Sequence, residues 1–464
     1  MSLRTPQKEW QSVAESGTVL AMTRHVDESP LQTRVKGDPL ATPPGVRSAA
    51  WVNELGRQRR DGPSQRSAGR AAGECWRPAT LAVHAGTQDD VMTGAVGTPI
   101  YQTSTFILDG DQYRAVADGY ARDRFIYTRY GNPSQWAVQQ KLAALEGAES
   151  AIVFSSGMAA ISTSVLSVLD KGAHVIASNE LYGGTYNLFH HELPSLGFSV
   201  SFVDPRDPQT IEQSIGPSTM LIYVETMTNP LLKVVDIPAI GDIAARHRLR
   251  LIVDATFTTP LAMRVLDHGA HVVVHSCTKY LNGHSDLVAG VAMGARKYID
   301  QIWPRLLALG GCLDPHACFL LERGLKTLPL RMSAHARGAQ AIAEFLLTQP
   351  KVHVVHYPGL PNHPDHALAN RLFNTMGGMV TFAVDTDAAA LRLLDRLQLM
   401  RQATSLGGVE TLVSLPFNTS HATYTADQRA RLGIPPGCVR LSVGIEDPQD
   451  LIADLTQALS ALDR

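Results

Sequence analysis

The chain has 464 residues, of which 44% are hydrophobic and 18% are charged, a balance typical of a globular protein with a large core. Its formal net charge of −2 gives no electrostatic reason to expect binding to nucleic acid or to an anionic membrane. No apolar run approaches the roughly 18 residues that a membrane span requires. The five cysteines show neither CxxC pairs nor zinc-site spacing, so we expect a reduced, cytoplasmic protein without a bound metal.

Residues 1–78 differ in composition from the rest of the chain. Their arginines, concentrated between Arg57 and Arg77, alternate with Gly, Ser and Pro, and sustained apolar periodicity is absent. We therefore predict a disordered N-terminal extension. It lacks the apolar core of a signal peptide, and Asp27 and Glu28 argue against a transit peptide. A genuine extension and a tail from an early start site both stay open.

From Thr80 onward, strand and helix patterns alternate, which predicts βαβ units and an α/β domain with a mostly parallel sheet. The predicted strands are 151–154, 174–177, 198–203, 220–224, 249–253, 271–275 and 287–293. Helices are expected over 158–169 and 237–247. Because ligands of such sheets bind at the carboxyl ends of strands, we expect the functional residues there.

A second, smaller α+β region is predicted in the C-terminal part of the chain. A helix over 333–347 leads into it, and strands are expected over 378–384 and 439–443. Helices over 387–397 and 448–462 flank these strands. The expected domains are accordingly 141–330 and 331–464.

Lys279 is the main candidate for a catalytic residue. It stands just past the apolar run 272–274, where desolvation favours the neutral form of the amine. A neutral amine can attack an aldehyde and form a Schiff base, and the hydroxyls of Ser276 and Thr278 beside it suit a phosphate. An aldehyde that carries a phosphate suggests pyridoxal 5'-phosphate.

Two neighbouring features fit the same cofactor. Asp254 ends the predicted strand 249–253, 25 positions before Lys279, where a carboxylate can hold a proton on a pyridine nitrogen. Gly157 and Met158 stand at a strand-to-helix junction, where free N–H groups and the helix dipole favour an anion. The structural alternatives are a turn cap for Asp254 and an ordinary helix cap with a packing glycine for the second feature.

Two loop residues extend this candidate site. Tyr182 follows a predicted strand, so that its ring can stack on the cofactor and its hydroxyl can protonate a leaving group. Asn229 follows another strand and can donate to the cofactor's phenolate oxygen, while Pro230 can fix a turn of unusual peptide geometry. Each is also compatible with an ordinary loop residue.

Two arginines are candidates for binding anions. Arg129, with Tyr127 nearby, can grip a phosphate through two parallel hydrogen bonds. Arg440 opens a predicted strand and suits the α-carboxylate of an amino acid, with Ser405 assisting. Taken singly, each arginine is also compatible with a surface position.

Together these segments resemble the Cys/Met-metabolism family of pyridoxal-phosphate enzymes, which includes cystathionine lyases and synthases, methionine γ-lyase and O-acylhomoserine sulfhydrylases. The similarity runs from about Thr80 to the C-terminus and rests on YTRYGNP, SSGMAA, LYGGTY, ETMTNP, DATF, HSCTKYLNGHSD, SLGGVETL and VRLSVGIED. It implies fold type I, with a seven-stranded sheet in the large domain and a smaller C-terminal domain. It also implies a homotetramer of dimers with shared active sites, in which residues 79–140 contact the neighbouring subunit.

The resemblance implies a role for each candidate residue. Lys279 is the Schiff-base lysine, Asp254 the partner of the ring nitrogen, and Tyr182 the residue that stacks on the ring. The residues that bind the phosphate within one subunit are Gly157, Met158, Ser276 and Thr278. Those that reach the phosphate of the neighbour are Tyr127 and Arg129. Those that hold the substrate carboxylate are Ser405 and Arg440. Asn229 contacts either that carboxylate or the ring oxygen of the cofactor.

The implied reaction is γ-elimination on a cystathionine-, methionine- or homocysteine-like amino acid, which gives 2-oxobutanoate, ammonia and a thiol. The alternative is γ-replacement, as in cystathionine γ-synthase or an O-acylhomoserine sulfhydrylase; we place the lyase first. Gly184 stands where methionine γ-lyases commonly carry cysteine, and their Lys-Asp pair in the small domain has no clear counterpart. Thr404 stands where cystathionine enzymes often carry an acidic residue. The chain therefore matches neither specificity pattern cleanly.

Three hypotheses from other classes stay as alternatives. A metal-dependent hydrolase would use His275, His284 and Asp286, although their spacing fits no standard zinc motif. A non-catalytic scaffold of the same fold would not need Lys279 and Asp254, which are both present. An aminotransferase of related fold would turn over only with a 2-oxo-acid acceptor.

Overall fold

The structure, a computed structural model, describes residues 76–88, 90, 93–119, 121–419, 422 and 425–463. The predicted extension 1–78 lies outside these residues except for its last three, and Pro78 already begins a helix. In the part of the chain that is described, no helix has both the length and the apolar character needed to span a bilayer.

The larger sheet has seven strands in the order β1-β7-β6-β5-β4-β2-β3. They are β1 (Ser150–Phe154), β2 (His174–Ser178), β3 (Ser199–Val203), β4 (Thr219–Glu225), β5 (Arg250–Asp254), β6 (Val272–Ser276) and β7 (Gly290–Gly294). Strands β2 to β6 run parallel, while β7 is antiparallel to both β1 and β6. The predicted mostly parallel, seven-stranded sheet is confirmed.

Two hydrophobic cores lie on opposite faces of this sheet. Successive residues alternate between them: Tyr223 and Ile252 belong to one core, whereas Val224 and Val253 belong to the other. Strands buried on both faces are near-continuous apolar runs, which is why the sequence located six of the seven; β3 is only partly buried. Strand β7 begins at Gly290, later than predicted, because Ala289 before it pairs with the Thr278 hydroxyl rather than with a strand.

Helices surround the sheet and precede it. They are α1 (Pro78–His84), α2 (Gly110–Ala117), α3 (Pro133–Glu146), α4 (Gly157–Val168), α5 (Gly183–Asn187), α6 (Leu193–Ser195), α7 (Pro208–Gln213), α8 (Ile237–His247), α9 (Thr259–Ala262), α10 (Arg296–Leu309) and α11 (Pro315–Leu325). A π-helical turn, Leu188–Glu192, joins α5 to α6, and 3₁₀ turns occupy Ala121–Asp123 and Val265–His268.

The smaller sheet has five strands in the order β10-β11-β12-β9-β8, packed on a third hydrophobic core. They are β8 (Val354–His356), β9 (Met379–Ala383), β10 (Arg401–Gln402), β11 (Leu412–Ser414) and β12 (Cys438–Ser442). The helices of this region are α12 (Leu328–Leu347), α13 (His366–Leu372), α14 (Asp387–Arg396), α15 (Ala426–Arg431) and α16 (Pro448–Ser460), with 3₁₀ turns at Pro416–Asn418 and Ala461–Asp463. Helix α12 begins at Leu328 rather than at Ser333, since a proline is tolerated in its first turn.

Candidate functional site

The carboxyl ends of five strands meet at one edge of the larger sheet. Strands β1 and β6 are both antiparallel to β7, so β1 runs in the same direction as the parallel block that contains β2, β4, β5 and β6. The five predicted residues at or just after the ends of these strands are Gly157, Tyr182, Asn229, Asp254 and Lys279. The fold therefore places them along a single edge.

Lys279 is held by a residue from the region of the smaller sheet. Its amine donates to the Ser405 hydroxyl at 2.6 Å. Burial lowers the pKa of Lys279 to about 8, and the positive charge of Arg440 contributes to that fall. Ser405 has a φ of +89°, a left-handed conformation that is rare outside glycine. The amine is therefore both oriented and far easier to deprotonate than an exposed lysine.

Arg440 is buried without an acidic partner. Its guanidinium donates to the Asn229 Oδ1 and to the Ser405 carbonyl, each at 3.1 Å. Among the described residues no carboxylate lies within ion-pair distance of it, and burial lowers its pKa to about 10. It stands in the middle of β12 rather than at its start, which corrects the sequence prediction, because the strand begins at Cys438. The Asn229–Pro230 peptide bond is cis.

Asp254 is buried and oriented by Thr256, a residue that the sequence prediction missed. Its Oδ1 accepts the Thr256 N–H at 2.9 Å and the Thr256 hydroxyl at 2.5 Å, and Tyr223 donates to Oδ2 at 3.5 Å. The same threonine oxygen accepts the N–H of Ser276 at 2.9 Å. Burial raises the pKa of Asp254, whereas the Thr256 bonds oppose that rise. A threonine two positions after a strand-ending aspartate is the signal that could have revealed this contact.

The start of α4 lies against the end of β6. Ser156 caps the helix by accepting the Ala159 N–H at 3.0 Å, which leaves the first N–H groups, at Gly157 and Met158, without an intrahelical acceptor. A Cβ at Gly157 would lie 2.8 Å from the Ser276 Cβ, so only glycine permits this approach. The helix therefore offers N–H donors beside Ser276, as an anion site requires.

The Thr278 hydroxyl is engaged with the main chain. It donates to the Ala289 carbonyl at 3.2 Å and accepts the Ala289 N–H at 3.0 Å. Its single proton is thus directed at Ala289. To serve a phosphate, this hydroxyl has to exchange that carbonyl for a phosphate oxygen.

The ring of Tyr182 lies next to the start of α4. A Cβ at Gly184 would come within 2.7 Å of the Tyr182 ring and 3.2 Å of the Met158 sulfur. Tyr182 is half exposed, and its backbone N–H donates to the Glu225 carboxyl group at 2.7 Å. The ring therefore stands on the open side of the site with its main chain anchored.

Tyr127 and Arg129 are not brought to this group of residues. Among the described hydrogen bonds, none joins either residue to Lys279, Asp254 or α4. They line a separate hollow with Cys312 and Asp314. The Arg129 guanidinium lies 5.3 Å from the centre of the Tyr127 ring, and its Nε is buried without an acceptor.

The geometry gives the hydrolase hypothesis no support. His275 is buried with its Nε2 3.7 Å from the Glu146 carboxyl group. The His284 ring bonds the Asn282 carbonyl, and Asp286 accepts the Asn282 amide, each at 2.7 Å. The described residues contain no group of three His, Cys, Asp or Glu side chains that could hold a metal ion.

The donor set at the sheet edge fits pyridoxal 5'-phosphate. The start of α4 suits its phosphate, and the buried carboxyl group of Asp254 suits a protonated ring nitrogen. The Lys279 amine suits the aldehyde, and Tyr182 offers an aromatic face.

Comparison with known proteins points the same way. The family model for Cys/Met metabolism PLP-dependent enzymes matches residues 79–460. The chain is 42% identical over 395 residues to an L-methionine gamma-lyase of Porphyromonas gingivalis, which covers 83% of this chain and 97% of that protein. It is 42% identical over 381 residues to a cystathionine gamma-lyase of Bacillus subtilis, with 82% and 98% covered.

A solved structure extends the similarity to the fold. The crystal structure of cystathionine gamma-lyase from Lactobacillus plantarum complexed with L-serine matches with a TM-score of 0.78 and 36% identity, covering 84% of this chain and 100% of that one. The family resemblance and the fold class predicted from the sequence are thereby confirmed. The chain belongs to the family of Cys/Met metabolism PLP-dependent enzymes, and pyridoxal 5'-phosphate is its cofactor.

Proposed function

We propose that the protein is a carbon–sulfur lyase that performs γ-elimination on a cystathionine-, methionine- or homocysteine-like amino acid. The observation that carries the proposal is the contact of Lys279 with Ser405 beside Arg440, which puts an easily deprotonated amine next to a buried cation without an acidic partner. Relatives named L-methionine gamma-lyase and cystathionine gamma-lyase support the same reaction. The products are 2-oxobutanoate, ammonia and a thiol, and one water is consumed.

In this proposal Arg440 binds the α-carboxylate of the substrate. A buried guanidinium without an anionic partner is unfavourable, so a carboxylate that enters the site gains a charge-assisted hydrogen bond in a dry environment. Asn229 and Ser405 hold the guanidinium from two sides and thereby fix the direction in which it points. The amino acid is then oriented with its Cα–H toward Lys279.

Lys279 and Tyr182 move the protons. When bound, pyridoxal 5'-phosphate supplies an electron sink for the charge left at Cα. The Lys279 amine, with its pKa lowered to about 8, takes the α-proton, passes that proton on to the cofactor side of the bound substrate, and, neutral again, takes a proton from Cβ. As the Cγ–S bond breaks, the Tyr182 hydroxyl donates a proton to the departing sulfur. Asp254 keeps a proton on the ring nitrogen throughout.

The cofactor's phosphate is proposed to lie against α4, bound by Gly157 and Met158 and by the Ser276 and Thr278 hydroxyls. Tyr127 and Arg129 complete the site of a neighbouring subunit, within a homotetramer of dimers. The unpaired, buried Nε of Arg129 supports this role.

The domain and compartment assignments complete the proposal. Residues 79–140 contact the neighbour, 141–330 form the cofactor-binding domain and 331–464 form the smaller domain. A cytoplasmic location agrees with the described cysteines, all of which are free: Cys277, Cys312, Cys318 and Cys438.

One incubation series tests the reaction. The holoenzyme is offered cystathionine, methionine, homocysteine or an O-acylhomoserine, with and without added thiol. Steady release of 2-oxobutanoate from the thioethers or homocysteine, lost in Lys279→Ala, is expected. If 2-oxobutanoate is released only from the O-acylhomoserine, and its release falls when a thiol is supplied, the protein is instead a γ-replacement enzyme.

A mixing experiment tests the shared site. Arg129→Ala is expected to weaken cofactor retention, because the phosphate loses a charged partner. When Arg129→Ala and Lys279→Ala subunits are mixed and reassembled, some activity should return, since hybrid dimers contain one intact site. Mixtures that stay inactive would show that each site is self-contained.

A further inference from the structure

Glu225 is a buried carboxyl group beside Asp254, and the reaction above gives it no part. It ends β4 and is the register partner of Asp254, which ends β5. Each of the two residues is only 7% exposed. Because neighbouring strands lie about 4.8 Å apart, the two carboxyl groups share a small and nearly dry volume.

The surroundings of the pair favour a proton on Glu225 more than one on Asp254. Among the described residues no lysine or arginine lies within ion-pair distance of it, and the nearby Glu180 is paired with Lys233. Burial and the charge of Asp254 raise the pKa of Glu225 well above its usual range. Asp254 instead receives two hydrogen bonds from Thr256, which favour its ionised form.

The Glu225 side chain forms a hydrogen bond with the main chain of Tyr182. Its Oε1 accepts the Tyr182 N–H at 2.7 Å. Tyr182 directly precedes α5, a helix of five residues, and its own side chain makes no capping bond there. Since Tyr182 is 50% exposed, its ring has few packing constraints, and the bond from its N–H to Glu225 restrains the main chain from which the ring extends.

We propose that Glu225 is a positioning residue, which holds the main chain of Tyr182 so that the tyrosine ring faces the cofactor and the departing sulfur. The inference rests on the role given to Tyr182 in the proposed function. Because the contact uses an oxygen that accepts an N–H, glutamine can replace glutamate here, whereas alanine cannot.

A double-mutant cycle in the holoenzyme tests this inference. Glu225→Ala is expected to lower kcat/KM about tenfold to a hundredfold, the size of effect that follows from misplacing a reacting group. Glu225→Gln should retain most of the activity. In a Tyr182→Ala background, Glu225→Ala should add little further loss, since the ring it positions is gone.

A readout without turnover accompanies the kinetics. The visible circular dichroism of the bound cofactor reports the asymmetry of its surroundings. We expect Glu225→Ala and Tyr182→Ala to change this signal in the same way, and Glu225→Gln to leave it unaltered. Thermal unfolding of each variant separates a displaced ring from a damaged fold. Glu225→Met, which fills the volume without an acceptor, takes the place of alanine if that variant does not fold.

Two results would overturn the inference. If Glu225→Ala has its full effect in the Tyr182→Ala background, Glu225 acts on Asp254 or on the fold instead. If Glu225→Gln is as damaging as Glu225→Ala, an ionised carboxylate is required and the anchor is not the reason. Absence of lyase activity in the unaltered enzyme would count against the proposed function, while the dichroism comparison would still test the anchor.

Discussion

The amine of Lys279 donates a hydrogen bond to the hydroxyl of Ser405, and this contact joins the edge of the larger sheet to the region of the smaller one. Lys279 follows β6, whereas Ser405 lies between β10 and β11 in a left-handed conformation. Arg440 of β12 in turn binds the Ser405 carbonyl. The orientation of the reactive amine therefore depends on both sheets, and a strained residue is kept in place at the point where they meet.

Replacing Lys279 by alanine should remove the covalent attachment of the cofactor. Borohydride reduction of the unaltered holoenzyme, followed by peptide mapping, should label position 279, and Lys279→Ala should lose the label. Turnover should fall by at least about 10²–10⁴-fold, because both proton transfers lose their base. Lys326→Ala is the matched control, since Lys326 is partly exposed and paired with Glu322 at 3.8 Å. A label on another lysine would contradict the assignment.

The lowered pKa of Lys279 should govern how fast the cofactor-free protein captures pyridoxal 5'-phosphate. Only the neutral amine attacks an aldehyde, and with a pKa of about 8 roughly a tenth of it is neutral at pH 7. The capture rate should therefore rise with pH and level off above about pH 8, whereas a simple alkylamine goes on gaining rate to about pH 10. Arg440→Gln removes a charge that lowers the pKa of Lys279, so the plateau should move to higher pH. A capture rate independent of pH would contradict this explanation.

Thr256→Val should raise the pH below which the enzyme loses activity. The hydroxyl of Thr256 stabilises ionised Asp254, so its loss raises the pKa of Asp254 further, and protonation then begins at higher pH as acid is added. We expect the acid limb of kcat/KM to move up by about one pH unit. The Ser276 N–H also loses its acceptor, which should reduce the free energy of unfolding by about 1–3 kcal/mol. Thr456→Val, on α16, is the control and should shift neither quantity. An unmoved acid limb would show that Thr256 does not tune Asp254.

Sequence alone located most strands of the larger sheet because they are buried on both faces, and it located the partly buried β3 by its alternating apolar residues. It located Asp254 and Lys279 because both stand at or just after strand ends. The short strands β8, β10 and β11 escaped detection, since two or three residues carry no periodicity. Thr256 was missed because its contact with the Ser276 N–H depends on the pairing of β5 with β6. Position along the chain does not reveal such a register.

The contacts of Ser405 illustrate the same limit for the site. Nothing local to Ser405 indicates that its hydroxyl meets Lys279, more than a hundred positions earlier. The family resemblance supplied that residue, and the structure supplied the contact. The neighbourhood of Glu225 and Asp254 likewise follows from strand register, although each residue was visible at the end of its own strand.

Gly184→Cys should disturb Tyr182. A Cβ at this position would come within 2.7 Å of the tyrosine ring and 3.2 Å of the Met158 sulfur, so the ring has to move. We expect kcat to fall about tenfold or more, because the hydroxyl that protonates the sulfur is displaced. Gly110→Ala, where a Cβ meets nothing within 4 Å, is the control and should leave kcat unchanged. An unaltered kcat in Gly184→Cys would mean that the loop at 182–184 changes conformation to accommodate the cysteine without moving the ring.

Arg440→Lys should weaken substrate binding and leave cofactor binding unchanged. Arginine bonds Asn229 and the Ser405 carbonyl through two different nitrogens of one planar group, which lysine cannot reproduce. KM for the amino acid should rise about tenfold or more, because the α-carboxylate loses a fixed, charge-assisted partner. Cofactor retention, measured by absorbance after dialysis, should change little, since the phosphate and the ring nitrogen are bound by other residues. Arg429→Lys, at an arginine 3.6 Å from Asp387, is the matched control. Loss of cofactor in Arg440→Lys, with KM unchanged in the fraction that stays loaded, would place Arg440 on the cofactor rather than on the substrate.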